Sequence, residues 1–307
     1  MVTGRLPIER PYGERRYTVR SAMRGANGEL IRLEGGVFTM GSADPLSYPD
    51  DGEESREVEL DPFVMAAEAV SNANFAKFVE ATAHTTDAER YGWSFVFAGL
   101  LADDFPDTRG VAKAPWWRQV YGADWRHPDG PDSDLTEKGL HPVVHVSWQD
   151  ATAYCEWLGM RLPSEAEWEF AARGGLAGKV FPWGDELEPG GAHLMNVWQG
   201  EFPASNTVDD GHYGTAPTDA FEPNGFGLYN ATGNVWEWTA DWFDMAFRAG
   251  DERRNPQGPP SGEFRVQKGG SYLCHESYCR RYRVAARQGN EPDSSAGNVG
   301  FRCAAEA

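Results

Sequence analysis

Cys274 and Cys279 stand five residues apart in Gly-Gly-Ser-Tyr-Leu-Cys-His-Glu-Ser-Tyr-Cys-Arg-Arg-Tyr-Arg, residues 269–283, and are half of the four cysteines in the chain. Arg280, Arg281, Arg283 and Arg287 follow at once. Positive charge beside a thiol favours the thiolate, the form that attacks as a nucleophile and binds metal. Two thiolates with no obvious nitrogen ligand set select a soft ion such as Cu(I) over Mg2+ or Ca2+. The same spacing also admits a short-loop disulfide. A second chemistry is open at Asn230-x-x-Gly233-x-Val235-x-Glu237. One amide oxygen, two backbone carbonyls and one carboxylate are the hard ligands that Ca2+ takes. Turn and capping chemistry uses the same residue types.

The elements that must position these groups are short. A chain of 307 residues buries about 75% of its unfolded surface and needs no disulfide to hold a core. Twelve Trp and 35 Gly predict loops and short strands packed around aromatic rings, with few long helices. Net charge is −19, from 28 Lys+Arg against 47 Asp+Glu, which disfavours a nucleic-acid partner because no basic face is on offer to phosphates. No run of 18 apolar residues and no signal-peptide core is present, so the expectation is a soluble, cytoplasmic protein with no membrane partner.

Residues 1–28 read as a polar surface arm. Leu30 to Met40 reads as two short strands broken at Gly35-Gly36, and Glu57 to Met65 as one alternating strand. Ser71 caps a helix whose apolar face is Phe75, Phe78, Val79 and Thr82. Residues 85–140, with Pro115-Trp116-Trp117, show weak periodicity and read as long ordered loops. Ser147 with Asp150 opens a helix bearing Ala151, Tyr154, Cys155 and Leu158, stopped at Gly159. Ser164 with Glu167 forms a capping box for a helix that ends at Gly174-Gly175. Residues 176–307 read as short strands and turns. The length prior allows about two domains, but no linker separates self-sufficient halves, so a single domain over 29–307 is expected.

Several segments now stand in order: Phe38-Thr39-Met40-Gly41, His141-Pro142-Val143-Val144-His145-Val146-Ser147-Trp148, and Arg161-Leu162-Pro163-Ser164-Glu165-Ala166-Glu167-Trp168-Glu169. Pro182-Trp183-Gly184, Asn224-Gly225-Phe226-Gly227-Leu228-Tyr229, Gly233-Asn234-Val235-Trp236-Glu237-Trp238, Gly269-Gly270-Ser271 and Gly300-Phe301-Arg302-Cys303 follow. From about Leu33 to the C-terminus the chain resembles the formylglycine-generating enzyme (sulfatase-modifying factor) family. The Gly-Asn-x-Trp-Glu-Trp motif is shared by a wider superfamily, including non-catalytic paralogues and domains of sulfoxide synthases. The cysteine segment, with Asn290-x-Pro292-Asp293-Ser294-Ser295 after it, is narrower and resembles the catalytically active enzymes. The resemblance implies an α+β fold of low regular secondary structure, a single domain related to the C-type lectin fold.

Members of that family oxidise the cysteine of a Cys-x-Pro-x-Arg segment in an unfolded or extended sulfatase polypeptide to Cα-formylglycine, using O2 and copper. The resemblance therefore implies that Cys274 and Cys279 hold Cu(I) and leave room for the substrate thiolate. It places Ser271 near the substrate cysteine or O2, and Trp236 in the wall of the pocket. Tyr278 either bonds substrate or packs, and His275 lies outside the ligand set. The resemblance also implies two structural Ca2+ ions. One would use Asn230, Gly233, Val235 and Glu237; the other Asn196, the carbonyls of Val197 and His212, and Asp210. It further implies a Cys155–Cys303 disulfide, with two buried free thiols as the open alternative, while Ala172 and Val284 replace the family's second pair. Two rivals stand beside the enzyme: a non-catalytic, calcium-stabilised lectin-like peptide-binding paralogue, and a sulfoxide synthase. The latter needs an iron-binding His cluster, and the seven His here are scattered.

Overall fold

Three helices begin where side-chain caps place them. Ser71 accepts the Asn74 N–H and opens α1 (Asn72–Thr82). Phe75, Phe78 and Val79 are buried, whereas Thr82 is exposed and turns its hydroxyl back onto Phe78 O at 2.7 Å. A further short helix, α2 (Asp87–Tyr91), starts from a Thr86–Glu89 capping box. Capping boxes at Ser147–Asp150 and Ser164–Glu167 open α3 (Trp148–Trp157) and α4 (Glu165–Ala172). The computed structural model describes residues 23–25, 28–43, 47–48, 52–245 and 253–307. Of the expected arm, residues 1–22, 26 and 27 lie outside the described residues, and Met23–Gly25 pairs as a strand with Gly28–Leu33.

The strands form small sheets, as the glycine and tryptophan content predicts, and two expectations are corrected. Residues 57–65 are two strands in different sheets, Arg56–Leu60 against Gly36–Met40 and Phe63–Ala66 between Gly28–Leu33 and Ala304–Glu306. The break falls at Asp61-Pro62, where proline removes a ladder donor. Residues 85–140 hold α2 and a three-stranded antiparallel sheet, with Ala114–Tyr121 between Trp93–Phe97 and Gly110–Val111. Within Ala114–Tyr121 the four successive residues Trp116 to Gln119 are half-buried on both faces, so no alternation was available to read.

A four-stranded sheet carries the cysteine segment. Trp236–Trp242 runs antiparallel to Arg265–Lys268 and parallel to Val299–Gly300, and Arg287–Asn290 completes the edge. The largest core cluster joins α1 and α3 to this sheet and includes Phe75, Tyr154, Trp236, Trp238, Cys274 and Cys279. α4 is buried along its whole length, three glutamates included. Arg287 grips Glu165 with two bonds of 2.7–2.8 Å, and Lys268 and Arg173 reach Glu169 at 3.0 and 2.6 Å. Burial pushes the Glu169 carboxyl up, but these two cations outweigh it and hold it down at about 2.

Asp241 behaves oppositely. Its carboxylate accepts the Glu165 N–H at 2.7 Å, yet burial and the like charge of Glu165 raise it to about 7. A carboxyl whose folded pKa is raised contributes stability that is complete below its unfolded value near 4 and is lost as pH rises through 7. The difference between the two limits is about 4 kcal/mol. Asp241→Asn keeps an acceptor for Glu165 N–H. It is expected to stabilise by about 1.5 kcal/mol at pH 5 and by about 4 kcal/mol at pH 8. Urea unfolding at both values checks this; equal effects at the two pH values would refute it.

Candidate active site

The cysteine segment folds as two successive turns. Ser271 O accepts the Cys274 N–H at 2.9 Å, and His275 O accepts the N–H groups of Tyr278 and Cys279 at 3.0 and 2.7 Å. Gly270 makes the approach possible, because at φ 73° a Cβ there would lie 2.8 Å from Tyr282 Cα. The turns bring Cys274 Sγ and Cys279 Sγ to 3.1 Å, unbridged and buried at 2% and 7% exposure.

The two thiols are electrostatically unequal. The Cys274 S–H donates to Cys279, and with the Arg281 backbone N–H and positive charge this outweighs burial, lowering Cys279 to about 7. Burial and the neighbouring sulfur push Cys274 well above its ordinary value, against the Ser271 N–H that approaches its sulfur at 3.4 Å. Above about pH 7 the pair therefore holds one proton between two sulfurs. Arg281 is itself held, with its guanidinium carbon 3.9 Å over the Tyr48 ring.

The residues named from sequence largely converge. Trp236, at 3% exposure, packs in the same cluster as the two cysteines and Tyr282. Ser271 is buried, and its Oγ accepts from Asn298 Nδ2 at 2.9 Å. Tyr278 stands at the rim, 42% exposed, stacked on Phe202 at 4.8 Å and 7° with Trp116 edge-on at 4.8 Å. These three rings form an aromatic ledge beside the dithiol. His275 turns away, with Nδ1 2.8 Å from Ser277 Oγ. Asn298 escaped sequence reading. Its one signal is its position just ahead of Gly300-Phe301-Arg302-Cys303, and its role depends on Trp236 N–H bonding Asn298 O at 2.9 Å across two strands.

The candidate calcium residues fall in two abutting loops. Asp210 accepts the N–H groups of Val197 and His212 at 3.1 and 2.9 Å, and Gln199 Nε2 at 3.0 Å. Asn196 Oδ1 and Asn230 Oδ1 are both buried and without a hydrogen-bond partner, an arrangement that asks for an ion or water. Gly233, at φ 75°, separates the loops; a Cβ there would meet Asn196 O at 2.6 Å. Glu237 is already bound by Arg302 at 2.6 and 2.7 Å and by Trp168 Nε1 at 2.7 Å. Three of about four lone-pair positions are thus taken, and one is left for a cation. Among the described residues no three His, Cys, Asp or Glu side chains converge. A cation here would rest mainly on amide and carbonyl oxygens, which Ca2+ accepts.

Cys155 and Cys303 take the alternative form, two free thiols. Their sulfurs touch at 3.1 Å as free, buried thiols, without the disulfide that the resemblance implied. Burial raises the Cys155 thiol, and a buried neutral thiol packs as a small hydrophobe.

A buried, unbridged thiol pair of unequal acidity, held by a tryptophan-rich sheet beside an aromatic ledge, is an arrangement suited to chemistry that works through sulfur. The sequence profile described as the sulfatase-modifying factor enzyme 1-like domain matches residues 16–307. The formylglycine-generating enzyme of Streptomyces coelicolor is 57% identical over 286 residues, 92% of this chain and 91% of that one. That of Bos taurus is 56% identical over 280 residues, 91% of this chain and 75% of that one. The chain belongs to this family of formylglycine-generating enzymes. Among solved structures, PvdO from Pseudomonas aeruginosa shares the fold, with a TM-score of 0.71 at 24% identity over 94% of this chain and 99% of that one.

Proposed function

We propose that this protein is a copper-dependent oxidase that converts the cysteine of a sulfatase Cys-x-Pro-x-Arg segment to Cα-formylglycine with O2, in a fold related to C-type lectins. The observation that carries the reading is the buried, unbridged Cys274–Cys279 pair. Two soft sulfurs 3.1 Å apart with a lowered first pKa fit Cu(I). Cu(I) bound there would supply a soft centre for the substrate thiolate and the activation of O2.

The chain's own residues do the rest. The Cys274 S–H and Arg281 hold negative charge at Cys279 Sγ. Trp236 and Tyr282 line the sulfurs with apolar surface that excludes water and stray thiols. Ser271 Oγ accepts from Asn298, which leaves its own proton to donate toward the substrate cysteine. The Trp116–Phe202–Tyr278 ledge offers flat rings to an extended polypeptide. The non-catalytic lectin-like alternative gives this dithiol no task.

The deciding experiment is anaerobic Cu(I) loading, then O2 with a Cys-x-Pro-x-Arg peptide, reading the mass of the product. The aldehyde is expected, and an unchanged cysteine after loading would sink the reading. The calcium assignment makes a separate prediction. Saturating Ca2+ at about a hundredfold over Kd should stabilise the fold by about 3 kcal/mol, and a chelator should remove that gain. Superimposable melting curves with Ca2+ and with chelator would count against both loops.

A further inference from the structure

His145 takes no part in the site described so far, yet its imidazole is fully buried and bonded at both nitrogens. Nε2 lies 2.8 Å from Pro128 O, and Nδ1 lies 2.7 Å from Ser94 Oγ. A carbonyl oxygen only accepts, so Nε2 carries the proton and Nδ1 accepts from Ser94. The single Ser94 proton has two acceptors in reach, His145 Nδ1 at 2.7 Å and Ser295 O at 3.0 Å, and the shorter bond to the imidazole takes it. The 2.7 Å contact between Ser94 and Ser295 hydroxyls is then donated by Ser295. The direction of three consecutive bonds is thus set from the Pro128 end. Burial outweighs the Pro128 carbonyl and nearby aspartates and lowers the imidazole to about 4, so this order holds at neutral pH.

The far end of the relay is a short segment that reaches the active site. Ser295 O accepts the Phe95 N–H at 3.4 Å, and Ala296 O accepts the His145 N–H at 3.0 Å. Gly297 N–H donates to Phe95 O at 2.9 Å. Gly297 also lies against the imidazole, where a Cβ would sit 3.3 Å from ring Cε1 and Nε2. Its carbonyl accepts the Tyr272 hydroxyl at 3.2 Å, and the next residue, Asn298, donates to Ser271 Oγ at 2.9 Å. Residues 297 and 298 therefore brace residues 272 and 271 in turn. The His145 backbone itself sits at φ 58°, a conformation that persists in non-glycine residues when the surroundings over-determine it.

We propose that His145 is a positioning residue for the reaction: through Ser94 and Ser295 it fixes segment 295–298, and so aims the Asn298 amide that orients the Ser271 hydroxyl. This rests on the formylglycine-generating reading of the site. The dithiol is shaped by the backbone of its own two turns, 271–274 and 275–279, so removing His145 turns the Ser271 hydroxyl, which Asn298 holds, and leaves the backbone turns and the sulfurs in place.

The test compares His145→Leu, His145→Asn and Ser295→Ala with wild type on a Cys-x-Pro-x-Arg peptide, together with Cu(I) affinity by competition titration. His145→Leu removes both bonds at similar bulk, and Ser295→Ala breaks the relay at its middle with little risk to folding. Each is expected to lower kcat by up to about 100-fold, the effect of about 1 Å of misplacement, with KM and Cu(I) affinity within about twofold. In His145→Asn the Oδ1 falls near the former Nδ1 and accepts from Ser94, and asparagine tolerates the left-handed backbone. It should recover most of the lost kcat. Introduced into Ser271→Ala, either His145→Leu or Ser295→Ala should add little, because residues acting as one unit are non-additive. Fully additive losses would overturn the proposal, and so would Cu(I) affinity falling in step with kcat. A wild type that leaves the peptide unconverted would overturn the functional reading beneath it; a converting wild type matched by Ser295→Ala and His145→Leu overturns this inference alone.

Discussion

Cys274→Ser and Cys279→Ser are each expected to weaken Cu(I) binding by more than about 100-fold and to reduce formylglycine formation to background. Loss of a residue that merely supports a metal ligand already costs about 10–100-fold in affinity, and here a ligand itself is lost. Serine preserves the volume, so the fold should survive; its oxygen is hard and protonated, a poor match for a soft ion. The wild-type pH profile gives an independent check. Below about pH 7 both thiols are protonated, and binding must release two protons; above it Cys279 is already thiolate and only the raised Cys274 gives one up. Cu(I) affinity should therefore climb about 100-fold per pH unit below 7 and about tenfold per unit above it. A flat profile, or near-normal turnover in either serine variant, would rule out the two-thiolate site.

Arg302→Met is expected to cost about 3–5 kcal/mol, the penalty for stranding the buried Glu237 carboxylate. Arg302 and Glu237 are 1% and 2% exposed and joined at 2.6 and 2.7 Å. The same guanidinium donates to Ala67 O at 3.0 Å and Tyr229 O at 2.9 Å, tying the strand that carries Trp236 to the opposite sheet. Against a total stability of about 5–15 kcal/mol, the variant should unfold at far lower urea. Adding Glu237→Gln should return part of the loss, since a neutral amide tolerates the missing cation better. If Arg302→Met lies within about 1 kcal/mol of wild type, the pair is not holding the two sheets together.

Much of the framework was legible because it is local. Ser71, Ser147 and Ser164 announce their helices through bonds to N–H groups three residues on, and such caps act before any tertiary contact forms. The strands at 114–121 were not legible. Ala114–Tyr121 is a strand because Trp93–Phe97 and Gly110–Val111 flank it, and pairing across a sheet leaves no reliable mark on one strand alone. The division of residues 56–66 between two sheets was equally hidden, since the alternating Arg56–Leu60 runs on into the apolar Phe63–Ala66 as one strand would.

The site divides along the same line. Residue type and spacing alone determined that Cys274 and Cys279 could meet, that soft-metal or disulfide chemistry was open to them, and that arginine charge would follow. Short-range geometry and intrinsic chemistry decide such matters. Only the tertiary structure decided that the sulfurs stand 3.1 Å apart unbridged, and that Cys279 carries the charge while Cys274 keeps the proton. It alone brought Asn298 to Ser271 and stood His145 behind that contact. The reason is physical: acidity and orientation in a buried site depend on desolvation and on partners distant in the chain. Asn298 lies 27 residues from Ser271 and Arg302 lies 65 from Glu237, separations that only folding closes.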